Sequence, residues 1–262
     1  MLLLCGGSAT DLPNTTVNYL KDFNTVDSFD THAKIPDYYK KLEKVAKANK
    51  KLCAISIGWD PGLFSIAREL FGAVLPNGND YTFWGKGVSQ GHSDAIRRID
   101  GVIDAVQFTV PIESAVNKVK KGLNPTLSAG EKHSRECFVA VKDGADKKLI
   151  EKQIKEMPNY FADYKTTVNF VSQSEVKKIR GKLPHGGFVI RTGESSKKTK
   201  DILEFSLKLD SNPEFTGSVL TAYARAIAKM AKEGFTGVMT VYDIPLKYLS
   251  SLTNEELRKR VL

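Results

Sequence analysis

Met1-Leu2-Leu3-Leu4-Cys5-Gly6-Gly7-Ser8 opens the chain with an apolar run that reads as a buried strand and ends in a glycine turn. The residues that follow repeat this pattern. Residues 11–22 predict a helix, because Val17, Leu20 and Phe23 recur at helical spacing. Residues 24–29 read as a short strand. Pro36 opens a helix that runs to Asn49, with Leu42, Val45 and Ala46 facing inward and lysines outward. Residues 51–57 read as a buried strand ended by Gly58. Strand, helix, strand, helix, strand implies a parallel sheet with helices on its faces.

After Pro61-Gly62 the character changes. Residues 63–73 read as an apolar helix and 81–84 as a strand, followed by a glycine-rich loop through Gly85, Gly87 and Gly91. Residues 101–111, 135–141, 166–170, 187–191 and 201–210 carry β-rich or alternating residues, with a helix at 149–156. This middle part reads as an α+β domain on an antiparallel or mixed sheet. Pro213 precedes a long helix from about Glu214 to Glu233, faced by Leu220, Ala224, Ile227 and Ala231. Residues 238–241 form a last short strand.

The chain has 262 residues, 41% of them hydrophobic, with 39 Lys and Arg against 30 Asp and Glu, for a formal charge of +9. That balance excludes a disordered tail, a collagen-like fibre and a disulfide mini-protein. No run approaches the ~18 apolar residues a membrane span needs, and the first residues lack the parts of a signal peptide. Three distant cysteines, Cys5, Cys53 and Cys137, read as reduced thiols of a cytoplasmic protein, with Cys5 and Cys53 in buried runs. No Cys-x-x-Cys or His-Glu-x-x-His spacing exists, so no metal is expected. The lysine patches lack interleaved aromatics and read as solvated faces, so neither nucleic acid nor membrane is an expected partner.

Three strand ends carry chemistry. Cys5-Gly6-Gly7-Ser8 either lets backbone amides approach a ligand or is a plain turn. Ser28-Phe29-Asp30 and Gly58-Trp59-Asp60-Pro61-Gly62 place two carboxylates on strands expected to be neighbours, a better active-site candidate than one Asp alone. Phe83 to Asp94 reads either as a functional loop or as a surface loop whose Ser93 or Asp94 caps the next helix. His92, Ser93 and Asp94 are adjacent, whereas the members of a hydrolase triad come from distant positions. Thr109, Arg135, His185 and Asn212 can donate hydrogen bonds, and Arg suits a carboxylate, but periodicity does not bring them together.

Residues 58–65, Thr82-Phe83-Trp84-Gly85, Ser89-Gln90-Gly91-His92-Ser93-Asp94-Ala95, Arg97-Arg98-Ile99, Pro184-His185-Gly186-Gly187 and 207–210 through Asn212-Pro213 to Phe215-Thr216 closely resemble the meso-diaminopimelate dehydrogenase family. The match is collinear from Leu4 to about Leu249. The resemblance implies an α/β chain that lacks the amino-terminal part of a dinucleotide-binding domain. Residues 1–58 would be the carboxy-terminal half of that Rossmann-type domain, 59–211 a substrate-binding and dimerisation domain with a mixed sheet, and 212–262 a segment returning to the first. It implies a cytoplasmic homodimer of lysine biosynthesis. The enzyme would use NADP to deaminate reversibly the D-centre of meso-2,6-diaminopimelate to L-2-amino-6-oxopimelate and ammonia.

By the same resemblance, Cys5, Gly6, Gly7 and Ser8, with Ser28, Phe29, Asp30, Gly58, Trp59, Asp60, Pro61 and Gly62, fall beside the cofactor. Asp30 and Asp60 would hold the D-centre ammonium, with Asp60 favoured as base. Trp84 would wall the site, and Gln90 and Gly91 would lie beside the D-centre. Thr109, Arg135, His185 and Asn212 would clamp the L-centre. Two departures stand out. Lys34 occupies a position that is often acidic in the family. The family's first ~60 residues, with the Gly-x-Gly-x-x-Gly turn, have no counterpart here, so weak NADP+ affinity is expected of these 262 residues. A remnant that only binds amino acid or dimerises, and a D-amino-acid dehydrogenase of related layout, are the rival readings.

Overall fold

The computed structural model describes residues 1–8 and 10–262; Ala9, within the opening glycine turn, lies outside the described residues. The chain begins with β1 (Leu2–Leu4), α1 (Leu12–Tyr19), β2 (Thr25–Asp27), α2 (Ile35–Ala48), β3 (Leu52–Ala54) and α3 (Leu63–Val74). It continues through β4 (Gly78–Trp84), β5 (Gly87–Val88), α4 (Gln90–Arg97), β6 (Val102–Pro111), α5 (Glu113–Lys120), α6 (Ala129–Lys132) and β7 (His133–Val141). Next come α7 (Lys147–Lys155), β8 (Lys165–Phe170), α8 (Gln173–Arg180), β9 (His185–Ser196) and β10 (Thr199–Leu209). The last elements are α9 (Asn212–Lys232), β11 (Gly237–Met239), α10 (Leu246–Leu249) and α11 (Asn254–Val261). Two compact units result, residues 1–69 with 213–262 and residues 70–212.

The first unit is built on a parallel sheet ordered β1-β2-β3-β11. Side chains alternate across a strand, so β3 feeds two cores at once. Leu52 and Ala54 meet Leu220, Tyr223, Ile227 and Met230 of α9 on one side. Cys53 and Ile55 meet Leu12, Tyr38, Leu42 and Ala46 of α1 and α2 on the other. The doubly wound arrangement expected from the sequence is present, but its opening differs. β1 is an edge of this sheet with Leu3 40% exposed, and Cys5 is exposed rather than buried. A short run of three leucines is apolar on both faces, so periodicity could not show which face lacks cover. The first unit also runs past Gly58 to Glu69, because Leu63 and Ile66 of α3 pack on the α9 core.

The second unit holds an antiparallel sheet, β10-β9-β4, and a mixed one, β5-β6-β7-β8, in which only β7 and β8 run parallel. Ile96, Cys137, Val139, Ile150, Ile154 and Phe161 fill the core under α4 and α7. The glycine-rich loop of the sequence reading holds a short β5 and then the helix α4. Ser93 and Asp94 do not cap α4; they lie inside it, and Ser89 is its N-cap residue. Three capping boxes that periodicity does not register, at Ser128, Ser172 and Thr253, start α6, α8 and α11.

Ile227 has no exposed surface in the α9 core. Ile227→Ala should lower the unfolding free energy by about 2–5 kcal/mol in urea titration. A loss under about 1 kcal/mol would mean that α9 does not seal this face of the sheet.

Candidate functional site

In the first unit the three strand ends adjoin because β1, β2 and β3 are neighbours in a parallel sheet. The Gly7 N–H donates to Asp11 Oδ2 at 2.8 Å, closing the turn after β1 onto the start of α1. Ser8 Oγ accepts from the Asp30 N–H at 2.8 Å and lies 3.4 Å from Thr31 Oγ1, so the ends of β1 and β2 are tied together. Asp30 is exposed at this junction, Ser28 is half-buried and Phe29 is buried against Tyr38, their rings stacked at 4.2 Å.

Behind them lies Asp27, fully buried. Its carboxyl accepts from Tyr38 OH at 2.6 Å, the Phe29 N–H at 3.1 Å, Thr16 Oγ1 at 3.2 Å and the Ser56 N–H at 3.3 Å. Burial raises the Asp27 pKa against the lowering effect of these donors. Burial, then the Asp27 charge, raises the Tyr38 pKa.

The third strand end is held by its own turn. Gly62 sits at φ 135°, where a Cβ would fall 1.8 Å from the Gly58 carbonyl oxygen. Trp59 bridges to Gly62, the Leu63 N–H donates to the Gly58 carbonyl, and the peptide between Asp60 and Pro61 is cis. The Asp60 side chain is only 2% exposed. It accepts from Arg68 Nη2 at 2.6 Å and from Nη1 at 3.5 Å, while Arg68 also donates to Ser65 Oγ at 3.3 Å. Arg68 is missing from the sequence reading; its one signal is a cation on the otherwise apolar start of α3.

In the second unit, Thr109 of β6 and Arg135 of β7 are register partners. Arg135 Nη1 donates to Thr109 Oγ1 at 2.6 Å, and the guanidinium stacks 3.8 Å from the Tyr164 ring centroid. Both residues are buried. Burial lowers the Arg135 pKa, against the raising effect of Tyr164. Among the described residues no carboxylate pairs with Arg135. Beside it opens a cleft of about 420 Å³ that includes Val110, Ser134, Glu136, Lys165 and Thr167 in its lining.

Trp84 ends β4, and its N–H donates to Nε2 of buried His133 at 2.8 Å, the two rings stacking at 5.3 Å. Burial, with Arg135 and Lys132 adding to it, lowers the His133 pKa to about 3, so the ring stays neutral and Nε2 accepts. His133 also escapes the sequence reading, since nothing in its spacing marks a long-range partner. His185 starts β9; its Nδ1 accepts from the Gly186 N–H at 2.8 Å, and a Cβ on Gly87 would lie 2.5 Å from its ring. Gln90 and Gly91 are exposed at the start of α4. His92 packs edge-on to Tyr160 and Phe161, with Nδ1 2.7 Å from Ser89 Oγ, and burial with Arg135 lowers it to about 4. Asn212 opens α9, its N–H on the Leu183 carbonyl.

The expected residues thus fall into two groups. The carboxylates and glycines sit on the first unit, and Trp84, Gln90, Gly91, Thr109, Arg135, His185 and Asn212 on the second. Among the described residues no group of three or more His, Cys, Asp or Glu could hold a metal ion. No helix among them is long and apolar enough to cross a membrane.

The diaminopimelic acid dehydrogenase C-terminal domain family matches residues 58–211. The meso-diaminopimelate D-dehydrogenase of Ureibacillus thermosphaericus is 57% identical over 262 residues, which are 100% of this chain and 80% of that protein. The Corynebacterium glutamicum enzyme of the same name is 42% identical over 260 residues, covering 99% of this chain and 81% of that one. A solved structure of the C. glutamicum DAP dehydrogenase in complex with DAP gives a TM-score of 0.94 at 41% identity, over 100% of this chain and 81% of that one. An engineered D-amino acid dehydrogenase bound to NADP+ gives 0.88 at 39% identity, with the same coverage.

The neutral state of His133 fixes the sign of a pH effect. Its ordinary value is 6.5 and its folded value about 3, so the unfolded chain takes up this proton first on acidification. Stability from His133 is complete above pH 6.5 and is lost as pH falls through that window. His133→Gln, which keeps an acceptor for the Trp84 N–H, should lose less stability than the parent between pH 7 and 4 in urea titrations. An unchanged slope would contradict a neutral His133.

Proposed function

The chain belongs to the meso-diaminopimelate D-dehydrogenase family, and from its geometry we propose which residues hold each end of the substrate. It is an NADP-dependent oxidoreductase that reversibly deaminates the D-centre of meso-2,6-diaminopimelate to L-2-amino-6-oxopimelate. Buried Arg135, with only the neutral partners Thr109 and Tyr164, is the observation that carries the assignment. A buried guanidinium without a counter-ion is costly and calls for an anion. A carboxylate at the L-centre supplies one, received by Arg135 and Thr109 with His185 and Asn212 as further donors.

The glycine turn suits a dinucleotide. Cβ atoms on Gly6 and Gly7 would fall 3.0 Å from Asp11 Cβ and 3.2 Å from Asp11 Oδ2, so side chains at these two positions would crowd the turn and glycine leaves its backbone open to approach. Cys5, Gly6, Gly7 and Ser8, with Ser28, Phe29, Asp30 and the residues Gly58, Trp59, Asp60, Pro61 and Gly62, would hold NADP there. When bound, NADP+ supplies the hydride acceptor.

The two aspartates divide the work at the D-centre ammonium. Asp60 already has Arg68 on its carboxylate at 2.6 Å, so its oxygens are committed to that pair and it contributes charge. Asp30 is exposed, with its backbone fixed by Ser8, and takes the ammonium proton. This inverts the order that the sequence favoured, because the Asp60–Arg68 pair cannot be read from spacing. In the second unit Trp84, whose backbone is set by His133, would wall the substrate, with Gln90 and Gly91 of α4 as further lining. The nitrogen leaves as ammonia. The homodimer rests on the family resemblance, and three free thiols suit the cytoplasm.

Arg135→Ala should raise KM for meso-diaminopimelate roughly 30-fold or more, the cost of a lost buried charge partner. An unchanged KM in steady-state assays of NADPH formation would remove the clamp. Asp30→Asn should lower kcat in steady-state assays, whereas Asp60→Asn should act mainly on KM. The reverse pattern would return the base to Asp60.

A further inference from the structure

Gln107 sits in the middle of β6 with no exposed surface, and neither its Oε1 nor its Nε2 has a hydrogen-bond partner in the protein. Its backbone is fully engaged: the N–H donates to Ser93 Oγ at 2.9 Å, and the carbonyl accepts from the Ser89 N–H at 3.0 Å. The side chain lies two residues from Thr109 and so on the same face of the sheet. Thr109 pairs with Arg135 and Gln107 with Cys137, which makes Gln107 and Arg135 diagonal neighbours across the β6–β7 ladder. Diagonal neighbours stand about 7–8 Å apart, within reach of two long side chains. Arg135 carries the matching deficit, because its Nε is buried and unpartnered while Nη1 is spent on Thr109.

An unpaired buried primary amide is one of the costlier errors a core can contain, and an apolar side chain of similar volume would remove the cost. A polar pair with complementary open positions, Nε–H and Nε2–H as donors and Oε1 as acceptor, meets the conditions for a buried water with two or more partners. We propose that Gln107 is a positioning residue of the substrate clamp: its amide, through one ordered water, holds the Nε edge of Arg135. The Nη edge then faces Thr109 and the substrate carboxylate. This rests on the reading of Arg135 as the carboxylate clamp and extends it one layer into the core. The water accepts from Arg135 Nε–H and donates to Gln107 Oε1, which fixes the rotation of the guanidinium about its last side-chain bond. Without it Arg135 keeps its charge and its Thr109 contact but loses the restraint that aims its fork.

Gln107→Met, similar in volume and without donors or acceptors, tests the idea against a purely structural role. The expected result in the full chain is a rise in KM for meso-diaminopimelate on the order of tenfold. The kcat at saturating substrate and KM for NADP+ should stay near parental values, with Tm unchanged or higher. An unchanged KM alongside an equal or higher Tm would overturn the proposal, since the amide would then serve neither function nor fold. A fall in kcat and Tm together, with KM unchanged, would overturn it as well. A high-resolution crystal structure of the parent is the second check; continuous density for a water between Gln107 Oε1 and Arg135 Nε supports it, and direct packing of the two groups excludes it. Arg135→Ala separates the layers. If that variant raises KM and Gln107→Met does not, the clamp stands and the positioning role falls; if Arg135→Ala leaves KM unchanged, both fall.

Discussion

The backbone just beyond β2 and β3 is fixed by one buried carboxyl group, that of Asp27. Placing an ionisable group in a core costs several kcal/mol unless its oxygens are satisfied, and Asp27 is satisfied by four donors from four different segments. Two of those donors are backbone N–H groups, at Phe29 and Ser56, so the carboxyl dictates the path of the chain just beyond β2 and β3. The Asp27 carbonyl adds a third restraint by accepting from the Ile57 N–H at 2.9 Å. Asp30 follows one of these pinned segments and Asp60 the other. The two acids proposed for the D-centre are therefore located by a third, buried one.

The second unit meets the same constraint with the opposite sign and leaves it open. Asp60 and Arg68 form a closed ion pair, in which each charge is answered inside the protein. Arg135 is answered only by a hydroxyl and an aromatic face. Its field reaches outward as well: it helps to hold His92 and His133 neutral, and a neutral His133 is what the Trp84 N–H requires as an acceptor. Burial is the larger cause of both neutral rings, and the Arg135 charge adds to it.

The sequence showed the alternation of strands and helices, and it showed which residue types were too polar or too glycine-rich for a core. Those are local properties, visible in windows of a dozen residues. It misplaced α4, because three glycines between Trp84 and His92 imitate a loop, although Gly91 falls harmlessly in the first turn of the helix. It made Cys5 a buried thiol, because a triplet of leucines carries no alternation from which to tell an inner face. The Thr109–Arg135 pair, the His133 acceptor under Trp84 and the Arg68 partner of Asp60 were not legible. The first two depend on a strand register and on a contact 49 residues apart, and the third on a turn after β3 whose side-chain partner lies eight residues on, in α3.

The second unit is an insertion in the first: the chain leaves at α3 and returns at α9, and β11 then completes the sheet by pairing with β3. During vectorial synthesis this has a price in time. β1, β2 and β3 emerge early, yet the open side of β3 stays without its partner until Met239 has been added. At about 5–20 residues per second, the roughly 185 residues between Ala54 and Met239 take on the order of 10–40 seconds to make. Through that interval a row of unpaired backbone groups and the apolar flank meant for α9 are available to other nascent chains. The placement of β11 therefore makes the ribosome's pace, and whatever shelters the half-made sheet, part of what decides the yield of folded enzyme.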